Sequence, residues 1–193
     1  MFISVRNRDL RRQMFPTSCW ITAAHFVLQY LDVDISLAAL HARFYTPDGN
    51  STSIMSGAGR PRIILNEYAV DAGRFAKTIN PQRAEEARVI AAITDNIRDD
   101  IPVIASLRSE QVKGFGHAVL ITAVDPKTGT IGFKDPGTGT TPRPFGVDVR
   151  MVQYHELRQG FSYRYADRMR QNIFTYCNQI IYLRPLNEMN LFD

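Results

Sequence analysis

The sequence predicts an α+β chain in which helices come first and an antiparallel sheet follows. Two patterns predict it. Up to about residue 100, apolar residues recur at intervals of three and four, the spacing of helices with one buried face. Beyond that point come short runs rich in β-branched residues, bounded by Gly, Pro and Asp, the pattern of strands and turns. Size is the third observation. The 193 residues are 45% hydrophobic, enough for one domain with a real core, and no internal repeat, low-complexity tract or linker divides them. One domain over residues 1–193 is expected, with a helical lobe over 14–100 and a sheet lobe over 101–185.

The elements follow in order. Residues 1–12 are a polar arm or an edge strand. A helix runs from Cys19 to Leu31, with Ile21, Ala24, Leu28 and Leu31 on one face and Thr17 or Ser18 as its N-cap. Ser36 opens a second helix over 37–45, which Pro47-Asp-Gly stops. Residues 46–60, rich in Gly, Ser and Thr, form a loop. A third helix over 61–72 opens at Pro61 and closes at Gly73. A short strand covers Arg74–Ile79, and Pro81 begins a fourth helix that reaches Arg98. Pro102–Leu107 and His117–Val124 are strands, and Asp125-Pro-Lys-Thr-Gly129 turns the chain into a returning strand, Thr130–Asp135. Pro136–Pro144 is a loop, 148–158 a short helix, 159–172 a polar and aromatic stretch, and Asn178–Leu183 the last strand.

The net charge is +4, from 19 Arg and 4 Lys against 19 acidic residues. The arginines are scattered, and none interleave with aromatics along one element, so the charge reads as solvated surface and no nucleic-acid partner is expected. No run approaches the ~18 apolar residues of a membrane span. Met1 to Gln13 carries arginines without an apolar run behind them, which is not a secretory signal. A soluble protein is expected, cytoplasmic or exported by a dedicated machine. Two cysteines, Cys19 and Cys177, are too few for a disulfide framework in this length.

The chemistry centres on Cys19. In the first turn of a helix, a thiol meets partial positive charge and free N–H groups, and both favour the thiolate. His117 opens an apolar strand just after Lys113-Gly-Phe-Gly116, where glycines let the backbone pass close to a neighbour. If Val124 pairs with Thr130, Asp135 falls opposite Val119. Asp135 and His117 are then diagonal neighbours about 7–8 Å apart on one face. An Asp there accepts the proton of one ring nitrogen and leaves the other to serve the thiol. Asp135-Pro136-Gly137 is also a good turn sequence, and both readings hold together. Acyl transfer needs donors aimed at the developing oxyanion, and the Cys19 N–H with the Gln13 amide can supply them.

Gln13, then five residues, then Cys19-Trp20 at a helix start resembles the signature of papain-like cysteine peptidases. So does Gly116-His-Ala-Val119 opening a strand, followed by Lys134-Asp135-Pro136 ending the next. The resemblance is to the compact bacterial branch, which includes peptidases that trim double-glycine leaders and effector peptidases that pathogens inject into host cells. In that branch the third residue is usually Asp before Pro, as here, where papain itself uses Asn. The resemblance covers the catalytic motifs and the helix-then-sheet order, but residues 46–100 match nothing recognisable. It implies a papain-like fold, a helical lobe beginning at Cys19 and a sheet lobe carrying His117 and Asp135, with an extended protein or peptide substrate in the cleft between them. It implies Cys19, His117, Asp135 and Gln13 as catalytic residues.

Other features carry less. His25 and His41 are dispersed, without the three or four ligands of a zinc site, so neither a metal nor another cofactor is expected. His155 reads as surface, Cys177 as a small core residue, and Trp20 as a wedge fixing the helix in the core. Gly57-Ala-Gly59 lacks the strand–helix context of a dinucleotide fingerprint. The expected activity is thiol peptidase, in an effector or toxin that a cognate inhibitor or immunity protein would restrain. Two alternatives stand beside it: a glutamine deamidase or transglutaminase using the same triad, and an inactive peptidase fold used for binding.

Overall fold

The computed structural model describes residues 1–8, 10, 18–44, 60–113, 115–136, 149–163 and 172–189. The loops predicted over 46–60 and 136–144 lie almost wholly outside the described residues.

Helix α1 (Cys19–Tyr30) has no charged side chain, and every residue except Gln29 is buried. A helix apolar all round belongs in the interior rather than on a surface, so the single apolar face read from the sequence understates its burial. It packs against α2 (Leu37–Phe44) and α3 (Arg60–Tyr68) on one side and the sheet on the other. Ser36 opens α2 as expected, its hydroxyl accepting from the Ala39 N–H at 3.0 Å. The third helix ends at Tyr68, four residues short of prediction. Residues 70–73 are a turn that Gly73 closes at φ +69°, a conformation glycine adopts without cost. The chain then enters β2 (Arg74–Ile79).

The fourth helix, α4 (Glu86–Arg98), starts five residues after Pro81. Asn80 holds the intervening turn, accepting from the Gln82 N–H on its side chain at 2.8 Å and from the Arg83 and Ala84 N–H groups on its carbonyl. After α4 come β3 (Val103–Arg108), β4 (Gly116–Asp125) and β5 (Thr130–Lys134).

The helix expected over 148–158 is a correction. The chain forms β6 (Arg150–Gln153), paired with β5, and only then α5 (Tyr154–Gln159). A reciprocal bond between Gln153 and Glu156 places the helix start at Tyr154 and leaves the residues before it to the sheet. A strand absent from the sequence reading, β7 (Phe161–Tyr163), follows α5. The last strand, β8 (Ile173–Pro185), begins five residues before the predicted start.

The sheet is antiparallel in the order β2-β8-β3-β4-β5-β6. β7 pairs with β8, and β1 (Ile3–Ser4) pairs with β4 beyond the end of β3. β2, which lies within the predicted helical lobe, thus joins the sheet of the second lobe. One continuous core runs from Val5 to Leu183 and takes residues from both. Asn96 on α4 ties that helix to β8 by two reciprocal bonds, donating to the Leu183 carbonyl at 3.0 Å and accepting its N–H at 2.8 Å.

Candidate active site

Cys19 is the first residue of α1, with Ser18 as N-cap. The helix start is held by Ile21 and Thr22, whose N–H groups donate to the Ser18 carbonyl at 3.1 Å. Trp20 meets Phe44 edge-on at 5.7 Å, and the Arg60 guanidinium lies 5.3 Å from its ring centroid. The residue beside the thiol is therefore wedged between α2 and α3, which fixes where Cys19 points.

β4 lies across from that helix start. The Ala118 N–H donates to Cys19 Sγ at 3.4 Å, so the second and third residues of the strand sit against the thiol. His117 Nε2 lies 2.7 Å from Asp135 Oδ1. With that nitrogen taken by the carboxylate, Nδ1 is left for the thiol side. All three groups are withdrawn from solvent, at 6% exposure for Cys19, 2% for His117 and 8% for Asp135.

The register that joins His117 to Asp135 differs from the predicted one at the turn. Asp125, not Val124, pairs with Thr130, and Gly129 closes the turn at φ +67°. A bulge between Ile121 and Ala123 then absorbs one residue, and Leu120 pairs with Lys134. That pair is the one the predicted register requires, so beyond the bulge the two registers coincide. The turn was misread by one position and the bulge cancels the error.

Electrostatics couple the three groups. Burial pushes the Cys19 thiol up, but the charge of His117, its hydrogen bond and the Ala118 N–H outweigh it and bring the thiol below its ordinary value. Burial pushes His117 down, but the Cys19 thiolate and Asp135 outweigh it and raise the imidazole to about 9. Thiolate and imidazolium each stabilise the other, and the carboxylate fixes the ring. Such a group can attack a carbonyl carbon and then hand a proton to the leaving atom.

Of the four residues named from sequence, the structure brings together Cys19, His117 and Asp135, while Gln13 lies outside the described residues. His25 bonds through Nε2 to the Ile35 carbonyl at 3.0 Å, and His155 is exposed. Cys177 is fully buried, with its S–H donating to the Gln179 carbonyl, and burial pushes it up to about 12. The sequence reading missed Tyr163, whose hydroxyl donates to Asp135 Oδ2. The alternation of Phe161-Ser-Tyr163 was the available signal, but three residues are too short a run to separate a strand from a loop.

A family model described as "Peptidase_C39 like family" matches residues 5–159, a span that includes Cys19, His117 and Asp135. No curated protein matches the chain. Among solved structures, one described as a double glycine motif protease from an AMS/PCAT transporter, in complex with the leader peptide, is similar at 15% identity and TM-score 0.47. It covers 95% of this chain and 98% of its own. A second is the N-terminal peptidase C39 like domain of the toxin secretion ATP-binding protein from Vibrio parahaemolyticus, at 15% identity and TM-score 0.43, covering 86% of this chain and 96% of that one.

Proposed function

We propose that this chain, which belongs to the Peptidase C39-like family of cysteine peptidases, hydrolyses peptide bonds with Cys19 as nucleophile, His117 as general acid and base, and Asp135 as the group that orients His117. The observation that carries this assignment is the buried line from the Cys19 thiol to His117 and on to Asp135, with the 2.7 Å bond at its far end.

The steps follow from that line. The Cys19 thiolate adds to the peptide carbonyl carbon, and the C=O electrons move onto oxygen. The Cys19 backbone N–H and the Gln13 amide are the donors proposed for that oxyanion. As the carbonyl reforms, the C–N bond breaks and imidazolium His117 gives its proton to the departing amine, leaving a thioester on Cys19. Neutral His117 then takes a proton from water, whose oxygen attacks the thioester and releases the acid and the thiolate. The substrate is a protein or peptide. Residues 1–193 act as one peptidase domain in this reading, supported by the single core from Val5 to Leu183.

The test is mass spectrometry of a peptide library with the wild-type chain and with Cys19→Ala. The reading predicts paired fragments from the wild-type chain and a loss of about a thousandfold or more in the variant. A product shifted by about one dalton and left uncut would mean that the same groups attack a side-chain amide. Equal cleavage by Cys19→Ala would remove Cys19 from the chemistry.

A further inference from the structure

The Asp135 carboxylate is gripped at both oxygens: Oδ1 accepts from His117 Nε2, and Oδ2 accepts from the Tyr163 hydroxyl. We infer that Tyr163 is a positioning residue of this site, one that holds Asp135 in the orientation that keeps the imidazolium of His117 in place. The inference rests on the catalytic reading of Cys19, His117 and Asp135, and goes beyond it to a residue outside the span that matches the family model, residues 5–159.

The physical need is specific. The terminal torsion of an Asp side chain is broad and two-fold, so a carboxylate held at one oxygen is free to swing. A second donor at the other oxygen fixes the plane of the group. It also satisfies lone pairs that burial has taken from water.

Tyr163 is itself held. It is 3% exposed and sits in β7, paired with Ile173 of β8. Its ring packs against Phe161 at 6.0 Å and Phe133 at 6.1 Å, and the Arg150 guanidinium lies 5.2 Å from its centroid. Arg150 in turn donates to the Ser162 carbonyl. The hydroxyl is thus delivered by a strand and an aromatic cluster rather than by a loose side chain.

Among the described residues, the titratable and charged groups around His117 are Cys19 from α1, Asp135 after β5, Tyr163 from β7 and, behind its ring, Arg150 from β6. Lys134 turns away, its ammonium donating to Asn7 and to the Arg8 carbonyl.

If Asp135 loses its second hold, it stabilises the imidazolium less. The pH at which His117 loses its proton then falls, and by reciprocity the Cys19 thiolate forms at higher pH.

The experiment compares wild type, Tyr163→Phe, Phe161→Leu, Asp135→Asn and the Tyr163→Phe/Asp135→Asn pair. The readouts are kcat and KM on a cleaved peptide and the rate of Cys19 alkylation by iodoacetamide, from about pH 5 to about pH 10. Folding is followed by circular dichroism. For Tyr163→Phe we expect kcat about tenfold lower with KM nearly unchanged. The alkaline limb of hydrolysis moves to lower pH and the onset of alkylation to higher pH. Phe161→Leu, which disturbs the same cluster without removing a hydroxyl, leaves both limbs in place. Adding Tyr163→Phe to Asp135→Asn changes little further, since the hydroxyl acts through the carboxylate.

Unshifted limbs in Tyr163→Phe, limbs equally shifted in Phe161→Leu, additive losses in the pair, or a Tyr163→Phe chain that does not fold would each overturn the inference while leaving the catalytic reading intact. A wild-type Cys19 that alkylates no faster than Cys177 would overturn both.

Discussion

Cys19 and Cys177 are both buried thiols, and their neighbours drive them in opposite directions. Burial pushes Cys177 up to about 12, whereas Cys19 faces His117 and is lowered. Position in the sequence distinguished them in part, because Cys19 opens a helix and Cys177 does not. His117 could be read as a partner because the diagonal to Asp135 depends only on the two-residue period of strands. Tyr163 could not. It follows Asp135 by 28 residues and reaches it only because β7 pairs with β8, which nothing local announces. The carboxylate also yields a prediction. In Asp135→Asn the negative charge is gone, so the imidazolium is held less firmly and His117 titrates below its value of about 9. Activity should fall by about tenfold or more, and the alkaline limb should move to lower pH, as read from a pH–rate profile. An unchanged limb would show that Asp135 does not act on His117.

At the scale of elements, apolar spacing located helix ends closely where no cap or turn intervened and failed where one decided. α1 and α2 end within one residue of expectation. The segment over 148–158 was misread because the Gln153–Glu156 capping box, not hydrophobic period, divides strand from helix there. Two predictions belong here. Asn96→Ala removes both bonds that tie α4 to Leu183 and leaves a buried N–H and C=O without those partners. It should lower unfolding stability by about 1–3 kcal/mol in denaturant titration. Gly160, between α5 and β7, has φ +127° and ψ 151°, a region that only glycine enters easily. Gly160→Ala should cost about 1–3 kcal/mol and weaken catalysis with it, because this turn delivers Tyr163. Unaltered stability in either variant would contradict the account of these junctions.

For the whole molecule, helices first and strands second was legible, but the way the chain closes was not. β2 comes before six of the sheet's eight strands in sequence and yet lies at its edge, against the C-terminal β8. Period reveals a strand without revealing its neighbour, so long-range pairing stays hidden. The thiolate–imidazolium pair also has a consequence for the stability of the molecule as a whole. His117 is raised from 6.5 to about 9, so its contribution is full below 6.5 and is lost as pH rises through about 9. Cys19 is lowered from 9.0, so its contribution is full above 9.0 and is lost as pH falls through the lowered value. Where both groups titrate, the slopes oppose each other. Thermal unfolding should therefore depend weakly on pH between 6.5 and 9, whereas in His117→Ala both contributions are gone, burial pushes the Cys19 thiol up, and stability should fall as pH rises past 9. A steep wild-type dependence between 6.5 and 9 would contradict the pairing.

The most direct test of the central claim is alkylation by iodoacetamide near neutral pH, mapped to each cysteine, in the wild-type chain and in His117→Ala. An activated pair predicts fast labelling at Cys19, slow labelling at Cys177, and a Cys19 rate that drops in the variant. Equal, slow labelling of both thiols that ignores the substitution would mean that Cys19 is an ordinary buried cysteine and that the catalytic assignment is wrong.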